Sequence, residues 1–223
     1  MKNLFCHYVL PVLKKAMYFS AWSLTMIKKV VKYLFTRAGS LWYNLCKIGC
    51  GEMKAKYSAM DIAEWFLWYN NYQKNNQLDK NDSYDVYEGI THLKVQKLLY
   101  YAEGVYSAVT DSDIFKEKIM AWPHGPVVVE VYEKFSENGN KELEFNDDYW
   151  SKVQRINNDN DVLNILQLVY ESYAGYTAWQ LREKTHVAGG PWQITVDTKG
   201  MQKEIDKKLI REYFKNNVVR TNG

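Results

Sequence analysis

The chain has 223 residues, of which 47% are hydrophobic and 25% charged, enough for one substantial folded domain plus an appendage. The net charge of +3 conceals a division: residues 1–59 carry ten Lys or Arg and only Glu52 as an acid, a balance of +9, whereas residues 60–223 balance at −6. An acidic domain excludes a DNA-binding face over most of its surface, and confinement of all three cysteines to the leader (Cys6, Cys46, Cys50) excludes a disulfide or Cys-based zinc framework in the domain.

The leader, residues 1–56, reads as apolar stretches separated by basic pairs. Its longest uncharged runs, Asn3 to Leu13 and Ala16 to Ile27, are each too short to span a bilayer, which takes about 20 apolar residues. Lys28, Lys29 and Lys32 follow the second run where a secretory signal would place small residues. On a helix, Lys14, Lys15, Lys28, Lys29 and Lys32 fall within about 140° of one another, with Phe19, Trp22, Phe35 and Trp42 supplying apolar bulk. Three readings stay open: a peripheral membrane helix attracted to anionic lipid, a basic arm that docks on a protein, or a true start at Met53 or Met60. Cys46 and Cys50 have i, i+4 spacing but lack the second pair that a zinc site wants.

Helix signals begin at Ser58. Ser58-Ala-Met-Asp61 has the form of a capping box, opening Ile62 to Tyr69, which is apolar nearly all round and so expected between other helices. Asn70 to Gly89 is too polar to fold alone and is expected to be a loop. Thr91 caps the clearest helix, with Val95, Leu98, Leu99, Ala102, Val105, Tyr106 and Val109 on one stripe and Lys94, Gln96, Lys97, Tyr101 and Glu103 off it. Phe115 to Trp122 is expected to pair with Leu143 and Phe145 in a small antiparallel ribbon. Pro126 is expected at the first position of a helix carrying Val128, Val131, Tyr132 and Phe135, ended by Gly139. Val162, Ile165, Leu166, Val169 and Tyr173 form a third stripe, stopped at Gly175. Thr177-Ala-Trp-Gln180 is a capping box for a short helix through Lys184. Gly189-Gly190-Pro191 breaks the chain, and Met201, Ile205, Leu209 and Tyr213 mark a last amphipathic helix. The expected architecture is mainly α: one compact domain of five or six helices with a minor β element over residues 57–217, a basic amphipathic extension at 1–56 and a tail at 218–223.

Chemistry-bearing motifs are scarce. No Gly-rich phosphate cradle, paired-Cys pattern or Gly-flanked Ser nucleophile occurs. The domain histidines, His92, His124 and His186, are far apart in sequence, and no local spacing pairs them with a carboxylate. His92 follows a cap and is expected to face solvent. His124 sits in the turn Trp122-Pro-His-Gly-Pro126, and His186 stands at a helix end where its imidazole meets terminal carbonyls. An enzyme would need these three to converge in space, so the expectation is a binding protein, not an enzyme, with no cofactor and no metal. Eighteen Tyr and eight Trp suit a helical core and a partner interface equally.

Three blocks carry a resemblance. Thr91-His-Leu-Lys-Val-Gln-Lys-Leu-Leu-Tyr-Tyr-Ala102, Phe115 to Tyr132 with its Trp, Gly-Pro-Val-Val and following Tyr, and Leu181 to His186 with Pro191-Trp192 resemble, in order and spacing, the signatures of the Panacea domain. This is the SocA-like antitoxin family, also seen in phage-associated GepA-type proteins, and the likeness spans about residues 60–214. Val129 stands where the family more often has Pro, the leader lies outside the pattern, and the polar stretch after Tyr69 looks like an insertion. The resemblance implies an antitoxin that binds a cognate protein toxin, by direct blockade or as an adaptor to a ClpXP-type protease. The alternative is a DNA-binding autoregulator using the helices around Thr177 to His186. Nucleic acid is otherwise not an expected partner, and the protein is expected in the cytoplasm, with the leader as a possible attachment to the inner membrane face. Toxin contacts are expected at Gln96 and Lys97, accessible beside the stripe, and at Trp122, His124, Tyr132 and Trp192, whose competing role is core packing and turn geometry.

Overall fold

In a computed structural model of the chain, the structure describes residues 55–78 and 89–219. Among these are eight α-helices and a two-stranded ribbon, as the mainly helical expectation required. Residues 1–54 of the leader, with Cys46, Cys50 and its basic face, lie outside the described residues. Among the described residues, no helix is long and apolar enough to cross a membrane.

Helix α1 spans Ala59–Leu78. Its capping box is reciprocal: Asp61 N–H donates to Ser58 Oγ at 3.1 Å and Ser58 N–H donates to Asp61 Oδ2 at 3.0 Å. From Ile62 to Tyr69 every side chain is buried except the half-buried Trp68. The loop expected from Asn70 begins later than the sequence suggested. Tyr170 Oη donates to Asn70 Oδ1 at 2.8 Å and Lys74 pairs with Glu142, so tertiary partners extend the helix through the polar stretch. Residues 79–88 lie outside the described residues.

Helix α2, His92–Thr110, is capped by Thr91, whose side chain accepts from Lys94 N–H. Fifteen of its nineteen residues are buried, so it is an axis surrounded on all sides and not a helix with one apolar stripe. Gln96, Lys97, Glu103 and Ser107 on it each bond to nearby backbone through at least one side-chain atom. Glu103 Oε2 accepts from Ile114 N–H (3.3 Å) and Phe115 N–H (3.5 Å) and lies 3.5 Å from Lys207 Nζ. Burial is the main cause raising the Glu103 carboxyl to about 7, with Lys207 opposing it. His92, expected in solvent, is buried with its ring 5.6 Å from that of Tyr132, because neighbouring α3 covers it.

The ribbon differs from expectation. Strand β1 (Met120–Trp122) pairs antiparallel with β2 (Gly125–Val127) across the Pro123-His124 turn, in register Met120↔Val127, Ala121↔Pro126, Trp122↔Gly125. A two-residue connection closes this pair locally, whereas Leu143 lies over twenty residues away and donates instead to Ile90 O at 2.8 Å. The outer edge of β1 is taken by the chain before the last helix: Ala121 N–H donates to Lys203 O, Gln202 N–H to Ala121 O and Ile205 N–H to Ile119 O, each at 2.8 Å. Met201 and Gln202 therefore form a turn, Gln202 at φ +59°, and Lys203 to Ile205 run along β1, so this stretch is not helical.

Because Gly125 to Val127 form a strand, helix α3 starts at Val129 (Val129–Phe135) and not at Pro126. Val129 occupies the first helical position, where the Pro that the resemblance would place there is also well tolerated. Helix α4 (Trp150–Asn157) was not evident in the sequence. Helix α5 (Asn160–Tyr173) buries Val162, Ile165, Leu166 and Val169 as expected, and α6 (Ala178–Thr185) has the Thr177–Gln180 capping box complete. Pro191, read as part of a break, opens α7 (Pro191–Lys199). Asp206 caps α8 (Lys207–Asn217), whose buried face is Ile210 and Phe214 instead of the Met201, Leu209 and Tyr213 series.

Helix α8 closes on α2 at Gly104. A Cβ there would stand 2.4 Å from Phe214 Cζ, and the Phe214 ring packs edge-on to Tyr100 (5.4 Å) and Tyr101 (5.9 Å). Gly104→Ala is expected to cost about 2 kcal/mol through overpacking, measurable as a lower urea midpoint.

Candidate functional site

The three signature blocks meet at one place, where the β1–β2 hairpin is held by α2, α6 and α7. From α2, Gln96 Oε1 accepts from Val128 N–H at 2.8 Å, supplying the partner that the uncapped start of α3 lacks. Lys97 Nζ donates to Pro126 O at 2.9 Å. Both side chains are buried, which corrects the expectation that they are accessible: neighbours cover α2 on the side facing the hairpin as well as along its stripe. Gln96 Nε2 has no hydrogen-bond partner among the described residues.

Gly125 makes this approach feasible. Its φ is +101°, and a Cβ on it would lie 2.8 Å from both Lys97 Nζ and Thr185 Oγ1. Burial is the first cause, and the Arg182 charge the second, that bring the Lys97 ammonium down to about 7 from its ordinary 10.5.

From α7, buried Trp192 donates through Nε1 to Trp122 O at 2.9 Å, and its ring centre lies 3.7 Å from that of His186. His186 ends α6 as expected, its N–H reaching Arg182 O and Glu183 O. Its Nδ1 is 2.7 Å from Arg182 O, and since a carbonyl can only accept, Nδ1 carries the proton. Nε2 faces Pro123 O at 3.4 Å. Burial, the leading cause, lowers the imidazole below its ordinary value while the Arg182 and Pro123 carbonyls oppose it, and His186 props the hairpin turn from beneath.

Trp122 and Tyr132 are half-buried, their rings 4.9 Å apart and edge-on, and His124 is exposed at the hairpin tip. Of the six residues singled out in the sequence, Gln96, Lys97 and Trp192 build the clamp from within, while Trp122, His124 and Tyr132 reach its surface. Gly125, Thr185 and His92 belong to the same assembly. Gly125 left a trace in the sequence as a turn residue between two prolines, and His92 and Thr185 only as members of the resembling blocks.

Among the described residues, none of the three histidines contacts a carboxylate or another histidine, and no group of His, Cys, Asp and Glu could hold a metal. The arrangement can fix a hairpin tip rigidly in place and present it. The fold and site thus define a mainly helical domain built on one enclosed helix that clamps a short hairpin. The family model described as antitoxin SocA-like, Panacea domain, matches residues 95–193, the stretch that contains this clamp. Antitoxin SocA of Caulobacter vibrioides (strain NA1000 / CB15N) is 30% identical over 151 residues, 63% of this chain and 79% of that protein. No solved structure matches. The chain belongs to the family of SocA-like antitoxins that carry the Panacea domain.

Proposed function

We propose that this chain is an antitoxin that neutralises a protein toxin by direct binding. The likeness to antitoxin SocA over 79% of that protein's length carries the reading, and the family match at residues 95–193 takes in the clamp. The geometry supports it: the signature side chains turn inward to stiffen a hairpin, and a rigid, preorganised tip loses little entropy on binding. Trp122, His124 and Tyr132 are the contacts within reach of a toxin.

Co-expression with the product of the adjacent reading frame tests the reading. The native chain is expected to restore growth and to co-purify with that product, and failure of both defeats it. His124→Ala is expected to weaken the complex about tenfold, or about 1.4 kcal/mol, with thermal unfolding unchanged. Blockade and delivery to a ClpXP-type protease separate on the toxin's half-life, which only delivery shortens.

A further inference from the structure

Among the described residues, three large aromatic side chains stand well out of the fold, and two belong together. Trp179 is covered by the Arg182 guanidinium, 4.7 Å from its ring. Tyr72 and Trp150, 50% and 48% exposed, flank the half-buried Trp68, which stacks on Tyr72 at 5.6 Å and meets Trp150 at 6.1 Å. This ridge is rooted in the core: Trp65 lies 6.2 Å behind Trp68, stacks on Tyr69 at 4.8 Å, and donates through Nε1 to Asn157 Oδ1 at 2.9 Å. Rings held in register by buried neighbours form a contact surface that needs no ordering when a partner arrives.

Acid borders the ridge. Trp150 N–H donates to Asp147 O, and Asn71, next to Tyr72, faces Asp147 across a cleft of about 500 Å³ also lined by Glu142 and Glu144. Lys74 pairs with Glu142, but Glu144, Asp147 and Asp148 meet no cation among the described residues. Lys141 and Lys152, the nearest cations in sequence, are exposed and pair with none of them. Residues 60–223 as a whole carry an excess of negative charge, so a nucleic acid or an anionic bilayer is repelled here.

We propose that the Trp68–Tyr72–Trp150 ridge and its acidic flank form a docking surface for a Lys- or Arg-bearing segment of the toxin. The proposal rests on the toxin-binding reading above and adds to the hairpin tip a second contact surface, with the chemistry by which it grips. A cationic side chain lies over an indole or phenol face while its charged end reaches the Glu144 and Asp147 carboxylates, and neither half of that recognition suits an uncharged segment.

The test uses the full chain and the purified product of the adjacent reading frame, with affinity measured by calorimetry at 50 and 300 mM salt. Tyr72→Ser/Trp150→Ser is expected to weaken binding at least thirtyfold. Glu144→Lys/Asp147→Lys, which touches only exposed side chains, is expected to do so at low salt, with a smaller loss at high salt. Both variants should unfold within a few degrees of the native chain. If the native chain binds and both variants bind within twofold of it, the surface proposal is overturned while the antitoxin reading stands. If sedimentation shows the native chain dimeric and the aromatic variant monomeric, a second copy is the occupant and the proposal is likewise overturned. No binding or rescue by the native chain removes the antitoxin reading itself, and the proposal with it.

Discussion

Replacing Trp192 with alanine is expected to destabilise the domain by about 3–5 kcal/mol, the range for losing a buried Trp side chain. The ring is buried, meets His186 at 3.7 Å, and its Nε1–H satisfies Trp122 O at 2.9 Å, so truncation opens a cavity and strands a carbonyl together. Against a typical total of about 5–15 kcal/mol, that is a large fraction. Trp192→Phe keeps most of the packing and loses the hydrogen bond, and is expected to cost about 1–2 kcal/mol. Urea unfolding of the three proteins checks the order, and an alanine variant within 1 kcal/mol of native would mean that this ring does not hold the hairpin.

Lys97→Met should change how stability depends on pH. The Lys97 ammonium sits at about 7 in the folded chain and at its ordinary 10.5 when unfolded. A cation with a depressed folded value destabilises fully below pH 7, and the penalty is relieved as pH climbs toward 10.5, because there the unfolded chain holds the proton and the folded one does not. Between pH 7 and 9.5 the native protein is therefore expected to gain about 2–3 kcal/mol relative to Lys97→Met. Loss of the donor to Pro126 O offsets the variant by about 1–3 kcal/mol at every pH, which moves its curve without tilting it. Unfolding free energies at the two pH values decide the matter: parallel curves would mean that the amine keeps its charge in the fold.

What the sequence revealed was set by local chemistry. Capping boxes at Ser58 and Thr177 and the stripe from Val162 to Val169 depend on residues three or four positions apart, and all were legible. The end of α1 was not, since Asn70 and Lys74 gain their partners from Tyr170 and Glu142. The same limit hid the clamp. Lys97 and Gln96 look like surface residues beside an apolar stripe until the hairpin supplies acceptor and donor to them from about thirty residues away. Trp122, His124 and Tyr132 were found through block resemblance, which points to positions without saying whether a side chain faces in or out. The Trp68–Tyr72–Trp150 ridge unites two helices nearly eighty residues apart, and Trp150 opens a helix that periodicity missed.

The strip from Lys203 to Ile205 that borders β1, and the α8 ring of Phe214 seated on Gly104, have a temporal implication. Both leave the ribosome well after the structures they complete, which begin about eighty to 110 residues earlier in the chain. Such distant closures are slow to form, so α2 amides should acquire protection from hydrogen exchange only after Phe214 has emerged. A chain cut short before residue 201 would leave the central helix wet on one side and the hairpin unstapled, a ready substrate for proteolysis.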